Sequence, residues 1–186
     1  MTKPIHEHHP LTGYLHAQVA SIVAKASPSI VLDMGGTGTM RSFMAGAQVV
    51  DANALDGVDA LNLPYPDDTF DAAVSVATAE HVGHHGRFFS EGERVARKCV
   101  AHWFPAGPVA ALCEEFKGTF TGYAHPCTLP TIAGLPAGYD RVECLTIAEY
   151  MLLLMTLYPQ FKIQRTYDFI VAHGPSPYGW LFFRHL

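Results

Sequence analysis

Residues 29–38 read Ser-Ile-Val-Leu-Asp-Met-Gly-Gly-Thr-Gly, or SIVLDMGGTG. The apolar run Ile30, Val31, Leu32 stops at Asp33, and Gly35, Gly36, Thr37 and Gly38 follow. A buried parallel strand that ends beside a ligand has this form. Without a Cβ the backbone can pass close to a bound molecule, and an acid at the strand tip faces the ligand instead of the core. A second strand-like run, residues 47–50, also ends in an acid, Asp51. The pattern predicts an α/β domain that holds a nucleotide- or nucleoside-containing molecule at strand C-termini.

The bulk numbers fit that reading. The chain has 186 residues, of which 49% are apolar and 16% charged, enough for one domain spanning 1–186 with a full core. A net charge of −5 disfavours a nucleic-acid surface, which needs clustered Lys and Arg. Arg94, Arg97 and Lys98 lie close together and are expected at the solvated end of a helix. The four cysteines, Cys99, Cys113, Cys127 and Cys144, form no CxxC pair, and no leader-like segment precedes them. Reduced thiols in a cytoplasmic protein are expected. The longest apolar stretch, 150–158, falls well short of the roughly 20 residues that span a bilayer, so no membrane partner is expected.

Residues 1–28 read as a polar, His-rich tail followed by a helix over 10–26, with Leu11, Leu15, Val19, Ile22, Val23 and Ala26 at helical spacing. Strand 1 covers 29–34, a short helical piece 39–45, and strand 2 residues 47–50. Asp51 and Asp59 are eight positions apart. A parallel crossover through a helix needs about a dozen residues or more. The helix after strand 2 is therefore reduced or absent, replaced by an extended loop or a rudimentary strand, and strand 2 is placed at the sheet edge. Residues 70–76 are the next buried strand, 85–98 a helix, and 99–104 a strand. Residues 105–143 form an expected acceptor or lid segment, with a short helix over 109–116 and Gly/Pro-rich breaks after it. Thr146 and Glu149 have capping-box spacing and open an apolar helix that ends near 158. Residues 161–172 and 180–185 are predicted as an antiparallel β-pair.

The stretch 58–82, VDALNLPYPDDTFDAAVSVATAEHV, resembles the class I S-adenosylmethionine-dependent methyltransferases, in particular their small type-11-like group. That family carries D-A-x-x-L-P-Y/F-P-D-x-x-F-D, then an apolar strand and E-H-V. The matching residues here are Asp59, Ala60, Leu63, Pro64, Tyr65, Pro66, Asp67, Phe70, Asp71, Glu80, His81 and Val82. The glycine loop departs from the family's D-x-G-x-G-x-G, because Thr37 and Thr39 stand at the second and third glycine positions. The resemblance implies a Rossmann-like α/β fold: three α/β/α layers, a mostly parallel sheet, and an antiparallel C-terminal strand.

The resemblance also implies S-adenosyl-L-methionine as cofactor and assigns roles. Asp33, Gly35, Gly36, Thr37 and Gly38 would surround its methionine part. Asp51, with Ala52 beside it, would take the ribose hydroxyls; Asp56 is the fallback. Asp59 would accept from the adenine amino group, with Ala60 and Leu61 giving backbone contacts. Val76, Ala77 and Thr78 would line the far side. The plainer readings are a capping acid for Asp33 and a turn residue for Asp59. Glu80 and His81 follow strand 3, where an acceptor would enter. Imidazole titrates in the range suited to proton removal, so His81 is either a catalytic base or a helix cap. His102, Trp103 and Phe104, with His125, would build an aromatic acceptor pocket; the plainer reading of each alone is a structural residue.

The expected activity is methyl transfer to an O or N atom of a small or medium-sized acceptor. The alternative is a non-catalytic module that binds S-adenosylmethionine or S-adenosylhomocysteine and acts through a partner. A homodimer across the thinly covered sheet edge is a further expectation. A dinucleotide-dependent oxidoreductase would need GxGxxG, which is missing. His6, His8 and His9 resemble a metal tract in composition, but no second cluster completes a site, and no metal is expected.

Overall fold

The computed structural model describes residues 10–105, 137–143, 145–157 and 159–186. The expected helix at 109–116, most of the lid segment and His125 lie outside the described residues, as do His6, His8 and His9.

Six strands form one sheet: β1 (Ile30–Met34), β2 (Gln48–Ala52), β3 (Phe70–Val76), β4 (Ala96–Pro105), β5 (Asp140–Glu143) and β6 (Gly179–His185). Their order is β2-β1-β3-β4-β6-β5. The pairs β1/β2, β1/β3 and β3/β4 are parallel, and β4/β6 and β5/β6 are antiparallel. Between β2 and β3 there is only a 3-10 turn, Ala54–Asp56, and β2 is an edge strand. The connection from β2 to β3 runs over residues 53–69, longer than the dozen or so that a crossover helix needs, so its irregular course is not a matter of length; Pro64 and Pro66 within it disfavour helix.

Side chains alternate across the sheet and make two cores. Val31, Val74, Ala101 and Trp103 face α1 (Pro10–Val23), α3 (Ile147–Leu157) and α4 (Gln164–His173). Leu32, Ala73, Val100 and Phe104 face α2 (His85–Val95), which contributes Phe88, Phe89 and Val95. The result is the expected three-layer α/β/α arrangement. Among the described residues no helix is long and apolar enough to cross a membrane.

The capping box forms as its spacing requires. The Thr146 amide donates to Glu149 Oε2 at 2.7 Å, and the Glu149 amide donates to Thr146 Oγ1 at 3.2 Å.

Two expectations are corrected. The stretch read as a strand over 161–172 is mainly helix α4, with Thr166 and Phe169 buried one turn apart. The antiparallel neighbour of β6 toward the edge is β5 instead. The helix expected over 85–98 ends at Val95, and Ala96 turns directly into β4 with φ −103° and ψ 143°. Arg97 and Lys98 are therefore strand residues: both bind the buried Asp71 at 2.8 and 3.3 Å.

Candidate functional site at the strand tips

The parallel register places the C-terminal ends of β1, β2 and β3 side by side. Asp33 pairs in register with Asp51 on one side and Val74 on the other. The turn after β1 packs against both neighbours. Gly35 has φ +84° and donates its amide to Ala52 O at 2.6 Å. A Cβ on Gly35 would lie 2.4 Å from Thr78 Oγ1 and Cγ2, and one on Gly36 would lie 2.4 Å from Asp33 Oδ2. The two glycines thus form a tight cradle between the tips of β1 and β3.

Asp33 sits in that cradle, 2% exposed, and its Oδ2 has no hydrogen-bond partner. Burial, with the Asp51 charge next, raises its carboxyl to about 7, against an opposing pull from Arg41. A buried acid with an orphaned oxygen is suited to a cationic ligand group, which would restore the carboxylate. An ammonium is such a group, so the residues present fit the methionine end of the expected cofactor.

Asp51 is already engaged. Its Oδ1 accepts the Gly38 amide at 3.2 Å, and its Oδ2 is ion-paired with Arg41, leaving the side chain 9% exposed. Asp56 does not stand in for it: Asp56 Oδ2 accepts from Asn53 Nδ2 at 2.7 Å, within the 3-10 turn. Asn53 also donates to Gly36 O at 3.0 Å, tying the loop after β2 to the glycine turn. Sequence reasoning missed Asn53 and Arg41; an Asn directly before a helical turn was the available signal for the first.

Asp59 is exposed and makes the turn that the plainer reading foresaw: its Oδ1 accepts the Leu61 amide at 2.8 Å. Its second oxygen carries no bond of that turn. Ala60 and Leu61 are half-buried beside it. At the tip of β3, Val76 is half-buried, and Ala77 is exposed with φ +54° and its amide on Trp103 O at 3.0 Å.

Glu80 is the second buried acid of this rim. It is 3% exposed, its Oε2 has no partner, and burial raises its carboxyl to about 7. His81 is exposed beside it, with Nε2 3.8 Å from Glu80 Oε1.

His102 and Trp103 are not found on an open pocket wall. His102 is wholly buried, with Nδ1 and Ser75 Oγ 2.9 Å apart and the rings of Phe88 and Phe89 against it. Burial depresses its imidazole to about 3, so the ring is neutral. Trp103 is buried on the other face and stacks on Tyr178, with Gly179 so close that a Cβ there would lie 2.2 Å from the indole. Successive strand residues point to opposite faces, so a strand covered on both sides buries both. This corrects the expectation that they line the acceptor pocket. Among the described residues no cluster of three or more His, Cys, Asp or Glu could hold a metal.

Residues 32–102 match a protein-family model described as a methyltransferase domain. No curated protein sequence matches the chain. A geranyl diphosphate methyltransferase solved with its diphosphate and sinefungin is similar in fold, with TM-score 0.63, 14% identity, and coverage of 95% of this chain and 80% of that one. An S-adenosylmethionine-dependent methyltransferase from Thermotoga maritima gives TM-score 0.55 at 14% identity, with coverage of 93% and 88%. The phosphoethanolamine N-methyltransferase 2 of Haemonchus contortus, bound to S-adenosyl-L-methionine, gives 0.58 at 16%, with coverage of 91% and 52%.

Proposed function

The chain carries a methyltransferase-domain segment and the fold of the class I S-adenosylmethionine-dependent methyltransferases, and from that premise we propose that it methylates an O or N atom of a small or medium-sized acceptor. The observation that carries this reading is the Asp33 cradle: a buried carboxyl whose Oδ2 has no partner, set against Gly36 in a turn that Gly35 packs onto Thr78.

The cofactor supplies an activated methyl group on a sulfonium with a built-in leaving group. The protein's task is to bind, orient and exclude water. In this reading Asp33 holds the ammonium, Asp51 takes the ribose hydroxyls, and Asp59 takes the adenine amino group with its remaining oxygen. Glu80 and His81 stand on the acceptor side. Calorimetry with S-adenosylhomocysteine tests the reading, and no heat at millimolar ligand would sink it.

Free Asp33 titrates near 7, and a bound ammonium favours its carboxylate, so binding releases a proton below that pH. Affinity should rise with pH up to about 7 and then level off. Asp33→Asn should flatten that slope and weaken binding about tenfold at pH 8. Calorimetry in buffers of different ionisation enthalpy counts the proton directly.

Arg41 covers the carboxylate that the ribose would use. Exposed ion pairs are worth about 0.2–1 kcal/mol, so Arg41→Gln should tighten S-adenosylhomocysteine binding about two- to fivefold. Weaker binding by this variant would instead make Arg41 part of the ligand's own contacts.

A further inference from the structure

The segment between the 3-10 turn and β3 contains no helix or strand, yet Leu63 is buried and its backbone polar groups need partners. Two side chains of α2 supply them. Glu91 Oε2 accepts the Leu63 amide at 2.8 Å. Arg94 donates to Leu63 O at 3.1 Å, Tyr65 O at 2.7 Å and Asp67 Oδ1 at 2.8 Å. Two further Arg94 bonds, at 2.9 and 2.8 Å, lock the guanidinium to Glu91. The Arg94 carbonyl also accepts the Asp68 amide at 2.9 Å. Those bonds to Arg94 hold the Glu91 carboxyl below its usual range.

Directly upstream lies the Asp59 turn, closed by the Leu61 amide on Asp59 Oδ1 and the Asn62 amide on Asp59 O. The turn runs straight into the clamped Leu63. A fork of this kind fixes direction as well as distance, because the guanidinium is planar and its donors are held in one plane.

We propose that Arg94 and Glu91 are positioning residues for cofactor recognition: by clamping 63–68 onto α2 they set the Asp59 turn where it reads the adenine. The proposal rests on the reading of Asp59 given above. It separates this pair from a brace that only adds stability.

The test uses Arg94→Lys in the full chain. Lysine keeps the charge and the attraction to Glu91 but cannot reach Leu63 O, Tyr65 O and Asp67 together. The readout is the ratio of dissociation constants for S-adenosylhomocysteine and its inosyl counterpart, which carries an oxo group where adenine has its amine. Loss of stability alone does not move this ratio at a temperature where both proteins are folded. Wild type should prefer the adenosyl compound about tenfold or more, and Arg94→Lys should bring the ratio close to one. Asp59→Asn should do the same without lowering the melting temperature. If Arg94→Lys does not fold, Glu91→Gln takes its place, since it keeps the size of the side chain and removes the charge that orients the fork. A lowered melting temperature with an unchanged ratio overturns the proposal and leaves a brace. Failure of wild type to bind either compound overturns the cofactor reading itself, and this proposal with it.

Discussion

Gly35→Ala is expected to lower affinity for S-adenosylhomocysteine by about 100-fold or more, the sum of two separate effects. The first is conformational. Gly35 has φ +84°, and an L side chain there costs about 1–2 kcal/mol. The second is steric. The new methyl would lie 2.4 Å from both Thr78 Oγ1 and Cγ2 and 3.0 Å from Thr78 Cβ. Threonine is short and branched, so no distant, flexible end can swing aside; the whole residue, and the tip of β3 with it, must move. Overpacking of that kind costs about 1–3 kcal/mol. Relief comes by opening the turn after β1, which displaces Gly36 and Asp33 and spoils the cradle. Calorimetry gives the affinity, and a thermal melt shows that the protein is folded. The double variant Gly35→Ala/Thr78→Ala should recover only part of the loss, because it removes the clash but not the φ penalty. Wild-type affinity in Gly35→Ala would mean that the cradle is not where the ligand lies.

The parts of this molecule that were legible in the sequence are those where one physical demand overrides context. A glycine turn after an apolar run ending in Asp33 marks a strand tip whatever surrounds it. The helix after β2 is reduced to a 3-10 turn as expected, and the sheet ends at β2, but the eight positions from Asp51 to Asp59 are not the reason: no strand stands at Asp59, β3 begins at Phe70, and the connection 53–69 is long enough for a helix. Helix α4 was misread because its residues argue for strand. Thr166, Tyr167, Phe169, Ile170 and Val171 are β-branched or aromatic, and they include the 85% exposed Val171, which no core demands. Packing against α3 overrode that local preference, as tertiary context commonly does. The boundary at Val95 was hidden for another reason. No glycine or proline separates α2 from β4, and the helix passes into the strand within one residue. This moved Arg97 and Lys98 from an expected helix end to the Asp71 site. The polarity of His102 suggested a pocket, and its plainer, structural reading is the one the structure shows. Its neutral ring is held by Ser75 and by aromatic faces that are distant in sequence, so the sequence had no local sign of it.

Asp71→Asn is expected to destabilise the fold by about 2–3 kcal/mol at pH 7, with the effect fading in acid. Asp71 lies at the start of β3, at the opposite end of the strand from the cradle, and is 1% exposed. Its Oδ2 accepts the amides of Ser29 and Ile30 at 2.6 and 3.3 Å, fixing where β1 begins. Its Oδ1 takes Arg97 Nε at 2.8 Å, fixing where β4 begins. One carboxylate therefore sets the register of three adjacent strands. Burial alone would raise this carboxyl; the bonds from Ser29, Arg97, Ile30 and Lys98 outweigh it and hold it well below the usual carboxylate range. An amide presents one oxygen and one NH2, so whichever way Asn turns, either the strand amides or the two cations face a donor. The cost is set below the value for a fully buried pair because Arg97 and Lys98 are 50% and 41% exposed. Since the folded pKa is depressed, this stabilisation is complete above the unfolded value of about 3.9 and is lost as pH falls through the folded one. Wild type should melt about 5–10 °C above the variant at neutral pH. The gap should narrow steadily below about pH 4 as the carboxylate of the unfolded chain protonates while the folded one stays ionised. A gap that stays constant down to pH 3, or none at pH 7, would show that packing rather than charge holds this end of the sheet. Cofactor affinity should be unchanged in the folded variant, because nothing at the Asp71 end touches the strand tips where Asp33 and Asp51 lie.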